Sequence, residues 1–180
     1  ALSSSIMTRA ESASEALVRE NLSESWLLED LEQDHRRLQD LAYKIKAQLM
    51  LWDEIDVEFQ ALTAALPEHW QSIEDNAGLS EWATENRALF ESVLALIESM
   101  RPGIEGRSYY RVGQVVDFDL FPALGPMLAA INNRKEASRT TIEVSSQDLL
   151  AFLDAQKIWL LAGSAVFLMS VVLMTLWLRR

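Results

Sequence analysis

The sequence predicts an all-α protein: an antiparallel up-down four-helix bundle with long first and last helices, the last continuing into a transmembrane helix. Three observations carry this expectation. Apolar residues recur at 3-4 spacing through three successive stretches, the signature of helices that bury one face. Breaker clusters, Asp75-Asn76-Ala77-Gly78 and Arg101-Pro102-Gly103, follow the second and third of them. Finally, the 180 residues end in an uncharged run, Ile158 to Leu178, followed by Arg179-Arg180.

The first helix is read from Leu28, Leu31, His35, Leu38, Ala42, Ile45, Leu49 and Trp52, a run without Gly or Pro. Nothing between Ala42 and Leu51 breaks a helix, so the first hairpin is expected to fold about Trp52. Ile55, Phe59, Leu62, Leu66, His69 and Ile73 mark the second helix; Leu79, Trp82, Asn86, Leu89, Val93, Leu96 and Met100 mark the third. The fourth starts after Gly106. Pro122 and Pro126 each remove a backbone donor from it, which predicts a kink or restart near Asp119.

Helices one and four each approach about fifty residues, about 75 Å, and the middle pair about half that. The short hairpin therefore covers one end only. This divides residues 1–157 into a compact bundle, 29–129, and a polar stalk, 1–28 with 130–157, in which Trp26 marks the junction. A stalk with few apolar residues calls for the same pair from a second chain, so a homodimer is expected. The span 158–178 follows, and 179–180 open a cytoplasmic part.

The span has 21 residues, about 30 Å of helix, which matches a bilayer's hydrocarbon core. Trp159 and Trp177 stand about 27 Å apart along it, one for each headgroup layer. Lys157 precedes the span and two arginines follow, so the positive-inside rule places the C-terminus in the cytoplasm and residues 1–157 outside. The opening ALSSSIMTRAESASEA lacks an initiator methionine and a basic leader, and the chain is expected to be a fragment of a longer receptor.

Net charge is −11, with all 27 acidic residues ahead of the span, which excludes nucleic acid and anionic lipid as electrostatic partners. With no cysteine and two histidines, and without a phosphate loop, G-x-S-x-G or H-E-x-x-H, no enzymatic activity, metal centre or cofactor is expected.

Each seam holds one polar exception: His35, His69 and Asn86. Counting outward from the two turns brings all three to one layer, with the Asp117–Phe121 segment of the last helix at the same height and Arg36, Arg37 and Arg87 beside it. Three readings are open. The layer is a hydrogen-bonded register device; or its donors and guanidinium forks hold a small anion; or the facing histidines hold a metal or haem. Tyr110 and Arg111, beside Tyr109, form a further candidate ligand contact near the bundle tip.

The long first helix from Leu2, the Asp117-Phe118-Asp119-Leu120-Phe121-Pro122 stretch in the last helix, and Gln156-Lys157 running into a span closed by Arg179-Arg180 resemble the external sensor domain of bacterial methyl-accepting chemotaxis proteins. The resemblance implies a periplasmic ligand-sensing domain in the inner membrane, a homodimer, a small-molecule ligand and a cytoplasmic output beyond Arg180. In aspartate-type members, arginines spaced along the first helix hold the ligand, whereas here only the adjacent Arg36 and Arg37 reach the comparable height. Sensor histidine kinases and membrane diguanylate cyclases carry similar bundles. A tail-anchored helical interaction protein, with its head in the cytoplasm, is the alternative from a different class.

Overall fold

Each 3-4 spaced stretch becomes a helix because only a helix puts all its apolar positions on one face. The computed structural model describes residues 2–140, and no strand occurs among them. The elements are α1 (Leu2–Lys46), α2 (Trp52–Glu74), α3 (Ser80–Glu105) and α4 (Tyr109–Thr140). The predicted span 158–178 lies outside the described residues, as does the stalk segment from residue 141 onward. The chain divides into two compact units, Ala1–Glu136 and Ala137–Arg180. Within the first, each helix packs on the next and α1 also packs on α4, so the core is a helical bundle.

The first turn falls at 47–51, a little before the expected Trp52. Leu49 N–H bonds Lys44 C=O and Gln48 N–H bonds Ile45 C=O, while Gln48 takes φ 57°. This is the helix-ending motif usually built on glycine, here made with a glutamine, which is why no Gly or Pro announced it. The same device closes α3. Arg107 has φ 47°, Arg107 N–H bonds Ile104 C=O, and Ser108 N–H bonds Gly103 C=O. Ser108 then caps α4 by accepting from Arg111 N–H at 3.3 Å.

The expected break at Arg101-Pro102-Gly103 is absent: α3 continues through it to Glu105. Pro102 is exposed, so the carbonyl it leaves unpaired faces water, and Gly103 is buried where a Cβ would lie 2.7 Å from Val112 Cγ2. Gly103 thus serves close approach of α4, not termination. The second turn, 75–79, is placed as expected. Asn76 Oδ1 accepts from Gly78 N–H there, and a Cβ on Gly78 would fall 1.6 Å from the Glu24 carboxylate.

The irregularity expected near Asp119 is a π-helical turn, Val116–Leu120, inside α4. The buried positions of that helix explain it. Val112, Val116, Leu120 and Leu124 recur every four residues, and each such step overshoots a full α-helical turn by about 40°. A wider turn absorbs the drift and keeps all four side chains in the core. By length and composition α4 is also apolar enough to cross a membrane; part of its apolar surface is that same set of core residues, continued by Met127 and Ile131, while Phe118 and Phe121 are exposed.

Candidate functional site

The polar layer has a different composition from the one the seams suggest. His35 is fully buried on α1, but the inward positions opposite it are Trp70 on α2 and Phe90 on α3, stacked at 4.3 Å with 4° between planes. The His35 and Phe90 rings lie 6.5 Å apart. On α2 the inward position is displaced one residue, from His69 to Trp70, and on α3 from Leu89 to Phe90, one turn beyond Asn86, because an indole or phenyl ring removes more apolar area from water than an imidazole or isobutyl group. Trp70 stays satisfied, its Nε1–H donating to Glu74 at 2.9 Å.

His35 Nδ1 donates to Leu31 C=O at 2.7 Å, which fixes the tautomer and leaves Nε2 as a bare lone pair with no hydrogen-bond partner. Burial pushes the imidazole below its ordinary pKa, partly offset by the Leu31 bond and the neighbouring Asp34 charge. His69 is one-third exposed and turns toward α1, its Nδ1 donating to the buried carboxylate of Asp34 at 2.5 Å. Asn86 donates to Trp82 C=O on its own helix at 2.8 Å. The three residues therefore stand near one height without touching one another.

All three layer arginines are ion-paired. Arg37 bridges Glu58, at 2.8 Å, and Asp34, at 3.5 Å. Arg87 bonds Glu74 at 2.6 Å. Arg36 holds Glu32 at 2.6 Å, and that same carboxylate takes Lys135 of α4 at 2.5 Å, with Glu29 as the lysine's second partner. Burial alone would raise the Glu32 pKa, but the bonds from Lys135 and Arg36 outweigh it and hold the group below the ordinary carboxylate range. Burial works against the Lys135 charge too, and its two carboxylates win, raising the pKa.

Tyr110 and Arg111 lie elsewhere, in the first turn of α4 beside the bundle tip. Tyr110 is exposed and its hydroxyl accepts from Gln114 at 2.9 Å. Asp117 pairs with Lys46, so the Asp117–Phe121 segment also stands toward the tip, above the height of His35.

The sequence reading did not single out one further cluster, where Arg134 Nη2 donates to Gly78 C=O at 3.0 Å and to Glu24 at 3.3 Å. It ties α1, the α2–α3 turn and α4 together. Nothing local marks these residues in the chain, since they come from three separate helices and turns. Comparison with protein families, curated proteins and solved structures gives no match. The geometry of this chain carries the functional argument.

Proposed function

We propose that the chain is the periplasmic ligand-sensing domain of a bacterial transmembrane receptor of the methyl-accepting chemotaxis type. On this reading it is an up-down antiparallel bundle with long first and last helices, homodimeric, with residues 1–157 periplasmic, a span at 158–178 and a cytoplasmic C-terminus. The observation that carries it is the shared carboxylate of Glu32, which couples the exposed fork of Arg36 to Lys135 on α4.

A small anion is the ligand on this reading. Bound bidentately by Arg36, it displaces Glu32, whose charge is then left to Lys135 alone and tightens the tie between α1 and α4. The π turn at Val116–Leu120 supplies the second packing that such a helix needs, because a wide turn can migrate or anneal at small cost. Binding thus biases the position of the last helix, which passes the shift across the bilayer.

Two measurements on the full chain in membranes test this. A compartment-sensitive reporter inserted after Leu2 should register the periplasm, and small carboxylates or phosphates should raise the melting temperature of wild type but not of Arg36→Gln. A cytoplasmic reporter signal, or a melting temperature that no small anion moves, overturns the reading.

A further inference from the structure

The tip of the bundle carries a groove between the end of α1 and the start of α2, of about 790 Å³, which reaches the Arg37–Glu58 pair of the polar layer at one end but does not include Arg36. Its walls include Leu49 and Val57, both more than two-thirds exposed, with Met50 beside them. These apolar groups are held rigidly. The glutamine-centred turn fixes Leu49, Tyr109 Oη–H bonds Met50 C=O at 2.8 Å, and the Trp52 and Tyr109 rings pack with centroids 4.3 Å apart at a tilt of 32°. Leu51 N–H donates to Glu54, which fixes the start of α2. A turn so well tied that still leaves leucine side chains in water presents a preformed surface.

Charge selects the occupant. Asp40, Asp53, Glu54 and Glu58 line the groove against Arg37 and Lys44. Both cations are already engaged, Arg37 by Asp34 and Glu58 and Lys44 by Asp40, and Arg107 reaches in to Asp53. Glu54, in the same lining, accepts from the Leu51 amide and has no cation partner among the described residues. The volume lies within the range of small-molecule sites, about 300–1,000 Å³.

We propose that this groove binds a small amphipathic cation, its apolar body against Leu49, Met50 and Val57 and its ammonium group beside Glu54. The site is separate from the Arg36 anion site and stands whether or not that one is occupied.

The full chain in zwitterionic nanodiscs is titrated with hexylammonium, hexan-1-ol and hexanoate by saturation-transfer NMR, with empty nanodiscs as the blank. Hexylammonium should bind about fivefold more tightly than hexan-1-ol, and hexanoate not measurably. Glu54→Gln, which keeps an oxygen for the Leu51 amide, should bring hexylammonium down to the level of the alcohol. Val57→Lys, a change at an exposed position, should abolish binding of the ammonium while the melting temperature stays near wild type. Equal binding of the three probes, uptake of hexylammonium no greater than the blank, or full affinity in Val57→Lys overturns the proposal. A wild-type melting temperature that no small anion moves would overturn the anion reading and leave this result untouched, so the two readings fail independently.

Discussion

At His35, full burial and a bare Nε2 act in the same direction. The lone pair has given up its water and gained no donor, a cost of about 1–3 kcal/mol for a group of this kind. Leucine at this position would lose only the Nδ1 bond to a carbonyl that the helix already uses. His35→Leu should therefore stabilise the protein by about 1 kcal/mol in urea unfolding. The pH dependence follows from the depressed pKa. The unfolded imidazole takes up a proton near 6.5 and the folded one only at lower pH, so between those values the unfolded state binds more protons. Stability is fully present above 6.5 and falls as pH drops below it, and the leucine variant should lose that slope. Gln48 offers a second test. Its φ of 57° suits glycine, so Gln48→Gly should raise the urea midpoint, by about 0.5–1 kcal/mol of stability, with an unchanged slope.

Interior prolines occur in α2 and α3 as well, at Pro67 and Pro102, but α4 adds a core spacing that a plain α-helix does not match. Its core residues step by four and its prolines at 122 and 126 lack donors, and the π turn Val116–Leu120 meets both conditions at once. Both prolines are exposed, so the carbonyls they release are solvated and the helix continues through them. Pro122→Ala restores one donor and removes the ring. It should raise stability by about 1 kcal/mol or more and slow hydrogen exchange over the turn. Unchanged exchange there would mean that the four-residue core spacing alone sustains the wide turn. The helix ends show the complementary pattern. Lys44 and Lys46 close α1 and Asp53 and Glu54 open α2, charges that suit the helix dipoles and mark the 47–51 turn for a reader who weighs them.

Across the bundle, the two ends are tied by different chemistry. The tip is held by the packed rings of Trp52 and Tyr109 and by a hydrogen bond to a backbone carbonyl, whereas the opposite end depends on Arg134, which serves both Glu24 and the Gly78 carbonyl. The Glu24 side chain is only 9% exposed, so removing its partner strands a carboxylate in a mostly dry place. Arg134→Met should cost about 2–3 kcal/mol by urea unfolding, and adding Glu24→Gln should recover part of that loss. Additive effects of the two changes would show that the pair is not coupled.

The sequence by itself determined the helical class, the second turn, the start of α4 and the buried face of α1 from Leu28 to Ile45, because periodicity and breaker residues are local properties. Which neighbour faces inward beside His35 was decided by tertiary packing: positions 69 and 70, or 89 and 90, serve a 3.6-residue repeat almost equally, and the larger ring won when three helices closed on one another. The glutamine-centred turn and the Arg134 cluster were likewise settled only in the fold. In each, a backbone conformation or a charge is made tolerable by groups distant in the chain, and no window of sequence contains both sides of that balance.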